Sequence, residues 1–108
     1  MDRILPLKID LHVHTFYSKD AAINLKDITS YSKKRGLDGV AITDHDTIEG
    51  AKRFKKTDDL ILIPGIEVST KNGHILGLNL TASIPKGLAL DETIERIHEA
   101  NGIAVAAH

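Results

Sequence analysis

Leu7-Lys8-Ile9-Asp10-Leu11-His12-Val13-His14 alternates without a break, aliphatic residues at the odd positions and polar ones at the even. A period of two over such a run is the pattern of a strand with one apolar and one polar face. Residues i, i+2 and i+4 of a strand point the same way, which puts Asp10, His12 and His14 on one side. Two imidazoles so spaced can share a metal ion, with the carboxylate placed to orient a ring from behind. A strand whose polar face is simply solvated is the plainer alternative.

Outward from this strand the chain alternates helical and extended patterns. Asn24 reads as the N-cap of a helix with Leu25, Ile28 and Ser32 along one side and Gly36 as its stop. Val40-Ala41-Ile42 is a short buried strand. Asp46 with Glu49 three residues on resembles a capping box, opening a helix whose inward residues are Ile48, Ala51 and Phe54. Leu60-Ile61-Leu62-Ile63 is a third strand, closed by Pro64-Gly65. Residues 67–70, the pair Asn72-Gly73 and residues 74–80 read as a β-hairpin with an Asn-Gly tip. After a loop over 83–90, Asp91 caps a third helix with Ile94 and Ile97 inward, ending at Gly102, and residues 103–107 begin another strand. Strands alternating with helices predict an α/β fold with parallel strands. No repeat or linker divides residues 1–108, which read as the N-terminal part of one domain, because the last apolar strand runs straight into His108.

Composition excludes several classes. Lys+Arg of 14 against Asp+Glu of 15 gives a net charge of -1, without the basic excess of a general nucleic-acid binder. The absence of cysteine rules out disulfides and thiolate metal sites and suits a reducing cytoplasm, where the protein is expected. No segment approaches the ~18 apolar residues of a membrane span, so no membrane partner is expected. Six histidines in 108 residues is a high count, and their placement carries the information.

Thr43-Asp44-His45-Asp46 falls where the second strand ends, the edge at which α/β active sites gather. Asp46 reads as a helix cap, Asp44 as either a partner behind a ligand or a turn residue, and His45 has no capping reason to be there. Glu67, between Ile66 and Val68, faces opposite to both, and His74 follows seven residues later across the turn. His108 ends the last strand, and Asp20 lies in the loop after the first. Each has a bland reading: a surface carboxylate, a polar hairpin residue, a terminal residue, a loop aspartate. Together, four successive strand ends and one loop supply His, Asp or Glu to a single edge, the pattern of a multinuclear His/carboxylate site. His98, inside the third helix, reads as an ordinary surface residue.

The order of these motifs resembles the PHP (polymerase and histidinol phosphatase) family. Asp10-Leu11-His12-Val13-His14-Thr15 is similar to its first motif and Ser18-Lys19-Asp20 to the Ser-x-Asp segment that follows. Thr43-Asp44-His45-Asp46-Thr47 is similar to the second, Pro64-Gly65-Ile66-Glu67-Val68-Ser69 to the glutamate motif, and Ala107-His108 to the start of the Ala-His-Pro motif. His74-Ile75-Leu76-Gly77-Leu78 resembles the His-Ile-Leu-Gly stretch of small stand-alone members. The resemblance implies part of a distorted seven-stranded β/α barrel around two or three divalent metal ions, Mn, Fe or Zn. It implies that His12, His14 and Glu67 bind the first ion and that Glu67 bridges to a second held by His74 and His108. Asp20 and His45 contribute to a third, and the family's final Asp-x-His motif lies beyond residue 108. The activity implied is hydrolysis of a small phosphorylated substrate, a nucleotide or short oligonucleotide, by a metal-activated hydroxide, with Glu67, His45 and Asp20 as catalytic residues. Histidinol phosphatase, a structural or polymerase-associated PHP domain, and an amidohydrolase-type barrel are the alternatives. An unclosed barrel is also expected to self-associate through its open strand edges.

Overall fold

The structure, a computed structural model, describes residues 6–15, 27–53 and 60–107. In chain order these form β1 (Ile9–Val13), α1 (Ile28–Lys34), β2 (Gly39–Ile42), α2 (Glu49–Arg53), β3 (Ile61–Thr70), β4 (Gly73–Leu78), α3 (Leu90–Glu99) and β5 (Ile103–Ala106). The strands make one five-stranded sheet in the order β1-β2-β3-β4-β5, an α/β partial barrel. β1, β2 and β3 pair in parallel, whereas β3 with β4 and β4 with β5 are antiparallel. The antiparallel pair β3–β4 is the hairpin expected from the sequence. β4 alone is reversed, so its first residues lie at the same sheet edge as the last residues of β1, β2 and β3.

One face of the sheet packs under the helices. Val13, Val40 and Ile42 meet Ile28 and Ala51 there, and Ile66, Val68 and Ile75 meet Ile97 of α3. Ala41, Leu76 and Leu78 cluster on the other, concave face. β2 is buried on both faces, Val40 and Ile42 on one and Ala41 on the other, as a central parallel strand requires.

β3 does not close at Pro64-Gly65 as its sequence suggests; it changes partner there. Residues 61–64 pair with β2 and residues 65–70 with β4. The Pro64 carbonyl accepts the Leu80 N–H at 3.0 Å. A Cβ on Gly65 would lie 2.6 Å from the Gly77 carbonyl oxygen and 3.2 Å from Thr43 Cγ2. Only glycine lets the reversed strand approach so closely. The hairpin turn is Lys71-Asn72, between the paired Thr70 and Gly73, one residue earlier than the Asn-Gly reading.

The helix ends also shift in detail. Asn24, Leu25 and Phe54 lie outside the described residues. Gly36, at φ +66°, ends α1 as read, with the Leu37 N–H bonded to the Ser32 carbonyl at 2.9 Å. At the end of α3 the left-handed residue is Asn101, φ +63°, not Gly102. Gly102 serves close approach instead, since a Cβ there would meet Leu80 Cδ2 at 2.5 Å. Asp91 sits in the first turn of α3, and Ala89 holds the N-cap position. Among the described residues, no helix is long and apolar enough to cross a membrane.

The contact at Gly65 gives a direct test of the strand switch. Gly65→Ala is expected to destabilise the fold by about 1–3 kcal/mol, the usual range for overpacking, measured by urea denaturation. Wild-type stability in that variant would mean that β3 and β4 need no such close approach.

Candidate metal centre

Glu67 lies in the middle of β3 and is fully buried. Ile66 and Val68 pack under α3, so strand alternation turns the carboxylate to the concave face. Four imidazoles surround it there. Glu67 Oε1 is 2.6 Å from His12 Nε2 and 2.7 Å from His14 Nε2, and those two nitrogens are 3.2 Å apart. Oε2 is 3.0 Å from His74 Nδ1, and His45 Nε2 stands 3.9 Å from Oε1. Ring centroids of His14 and His45 are 4.4 Å apart, those of His45 and His74 5.4 Å.

Topology explains the convergence. His12 and His14 lie at the C-terminal end of β1, and His45 follows β2, pairing with Glu67 as an isolated parallel bridge. His74 is the second residue of β4, and only the reversal of that strand brings it to this edge. Burial pushes the Glu67 carboxyl up, but hydrogen bonds from His12 and His14 and the charge of His45 outweigh it and hold the group below the usual carboxylate range.

The donors divide into two sets that share Glu67: His12, His14 and Glu67, and His45, Glu67 and His74. Within each set the ligand atoms lie within 4.8 Å of one another. Imidazole nitrogens with a carboxylate suit Mn, Fe or Zn, and one carboxylate with two oxygens can serve two cations. The residues present therefore fit a pair of divalent ions.

The PHP domain family model matches residues 10–103. The chain belongs to the PHP domain family. It is 41% identical over 115 residues to an uncharacterized protein of Methanocaldococcus jannaschii, covering 94% of this chain and 67% of that one. A 5′-3′ exoribonuclease of Haemophilus influenzae is 31% identical over 105 residues, covering 91% of this chain and 38% of the relative. The crystal structure of a two-domain protein from Bacteroides vulgatus, containing a predicted PHP-like metal-dependent phosphoesterase, shares the fold. Its TM-score is 0.68 at 20% identity, over 91% of this chain and 34% of that one. This PHP chain thus spans two thirds of the first relative and well under half of the other two.

In this PHP chain the structure brings His12, His14, His45, Glu67 and His74 together, while Asp20 and His108 lie outside the described residues. His98 is exposed on α3, as read. Two acidic residues need correction. The alternation of β1 is broken by a bulge: Asp10 pairs with Val40 and Val13 with Ile42, three steps against two. Asp10 is thereby turned away from the imidazoles, and its carboxylate accepts from the Tyr31 hydroxyl and the His12 N–H, both at 3.0 Å. Burial and the bond to Asp10 push the Tyr31 hydroxyl up. Asp46 does not cap α2; Thr47 Oγ1 accepts the Glu49 N–H at 3.2 Å, and Asp46 bonds Ser69 instead.

Asp44 is the partner behind a ligand strand. Fully buried, it accepts from the Thr15 N–H at 2.5 Å and the Thr15 hydroxyl at 2.7 Å, fastening the residue after His14. A Cβ on Gly50 would collide with Asp44 Oδ2 and lie 2.7 Å from Thr15 Oγ1, so α2 can cover this pair only with glycine. Thr15, Ser69 and Tyr31 were not singled out from sequence. A hydroxyl residue placed one or two positions after a candidate ligand is the signal that would have found the first two.

The depressed Glu67 carboxyl has a consequence for the metal-free protein. A group whose pKa is lower in the fold contributes stability above its unfolded value of about 4.3 and loses it as pH falls through the folded value. Stability to urea is expected to fall on acidification below about pH 4.3, and Glu67→Gln should flatten that fall. An unchanged slope in the variant would remove Glu67 as its source.

Proposed function

We propose that this chain carries the metal-binding part of a phosphoesterase that hydrolyses phosphate esters of nucleotides or short oligonucleotides with two or three divalent cations. The observation that carries the reading is one buried carboxylate, Glu67, shared between two sets of histidines. A shared ligand suits two cations about 3.5–4 Å apart, the spacing that clamps both attacking and leaving oxygens of a displacement. When bound, such cations acidify a water and supply positive charge to the phosphoryl oxygens.

The chain's own groups position this chemistry. His12 and His14 contact Oε1 of Glu67, His74 contacts Oε2, and His45 stands 3.9 Å from Oε1. Asp20 and His108 are proposed as further ligands, Asp20 with His45 toward a third ion and His108 with His74. The four imidazole side chains are 20–38% exposed while Glu67 is 0% exposed, so a phosphate can reach the rings from solvent while the shared carboxylate stays dry. A net charge of -1 leaves phosphate recognition to the cations rather than to a basic surface. The Haemophilus relative, named an exoribonuclease, supports a nucleotide-containing substrate.

Protein purified without chelator or nickel should contain Mn, Fe or Zn by elemental mass spectrometry and, with Mn added, release phosphate from nucleotides faster than from histidinol phosphate. Glu67→Gln should lower kcat/KM by at least about 100-fold, in the range for loss of a transition-state charge contact. No release with any of the three metals would overturn the reading.

The sheet edges support one further expectation. β1 and β5 are its outer strands, with Leu11 40% and Ile103 61% exposed. The 108-residue chain is proposed to associate with itself along them, and a concentration-independent monomer mass by light scattering would count against it.

A further inference from the structure

We propose that Asp46 is a positioning residue whose carboxylate clamps Ser69 and so fixes the spacing of His45 and His74 on either side of Glu67. The inference rests on the two-cation reading given above.

Asp46 directly follows His45 and has a left-handed backbone, φ +55°. Its N–H donates to the Glu67 carbonyl at 2.9 Å. Its Oδ1 accepts the Ser69 N–H and its Oδ2 the Ser69 hydroxyl, both at 2.8 Å. Three bonds from one residue therefore reach Glu67 and the residue two beyond it. Regular pairing offers less, because β2 ends at Ile42 and His45 meets β3 only as an isolated bridge. Ser69 in turn pairs directly with His74 across the β3–β4 ladder. The clamp thus ties the segment that carries His45 to the residue beside His74.

The ordinary roles for an aspartate here do not account for these bonds. Capping falls to Thr47. A left-handed turn is open to asparagine and glycine as well, and neither supplies two carboxylate oxygens to the paired N–H and O–H of Ser69. Direct ligation is excluded by geometry, since both oxygens face Ser69 and Asp46 belongs to neither donor set.

Two variants separate the carboxylate from the backbone. Asp46→Gly keeps the left-handed turn and removes the clamp; Asp46→Asn keeps the turn and one acceptor. Mn binding is read by titration calorimetry, and pairing of the ions by the spin-coupled signal in electron paramagnetic resonance. Wild type should bind two Mn ions with a coupled signal. Asp46→Gly should weaken the ion held by the His45, Glu67 and His74 set by roughly 10–100-fold, the range for residues that orient ligands, while the ion held by His12, His14 and Glu67 stays within about threefold, leaving an isolated-ion signal. Asp46→Asn should fall between. If Asp46→Gly fails to fold, Ser69→Ala, which removes only the hydroxyl, should shift the ion of the His45, Glu67 and His74 set in the same direction by less. A glycine variant with wild-type isotherm and coupling, or one that weakens both ions equally, overturns the inference alone. A wild-type protein that binds fewer than two Mn ions overturns the two-cation reading and the inference with it.

Discussion

A carboxylate withdrawn from water must be answered by positive charge or hydrogen-bond donors, or it takes up a proton. Glu67 is answered by imidazoles from three separate segments of chain, two of them at hydrogen-bond distance from the same oxygen. That requirement constrains the sheet around it. β1, β2 and β3 must end at one edge, β4 must run against them, and β3 must continue unbroken through a proline and a glycine to bring Glu67 there. Three local irregularities lie next to this demand: the β1 bulge just before His14, the partner switch just before Glu67, and the left-handed residue just after His45.

The segment Asp44-His45-Asp46 shows how such a site is held without regular pairing. Its two acids reach in opposite directions, Asp44 to Thr15 beyond the β1 histidines and Asp46 to Ser69 beyond Glu67. Each offers its two oxygens to one backbone N–H and one hydroxyl. The histidine between them is held at both shoulders, and the ends of three neighbouring strands are joined by side chains where main-chain bonding has thinned out.

Much of this was legible in sequence. The short apolar strands, the turn near Asn72 and the contribution of acids and histidines at successive strand ends follow from period and punctuation alone. Glu67 could be assigned its face because Ile66 and Val68 flank it. The failures share a cause. Alternation in β1 is perfect as text, yet one inserted residue reverses Asp10, and nothing in residues 7–14 marks the bulge. Pro64-Gly65 has the composition of a turn, but it becomes strand because β4 must approach there, a tertiary demand invisible locally. Asp46 and Glu49 have the spacing of a capping box, but Ser69 offers Asp46 two donors on a strand 23 residues away. Acids are the hardest to place from sequence because caps, turns and clamps all use them.

The reversed strand gives the two halves of the centre different histories as the chain folds. His74 reaches Glu67 through a hairpin with a separation of seven residues, whereas His12 must come from 55 residues away. By the logarithmic dependence of loop closure, the longer search surrenders about 1.8 kcal/mol more chain entropy than the shorter. The hairpin side can therefore close among local contacts before β1 docks.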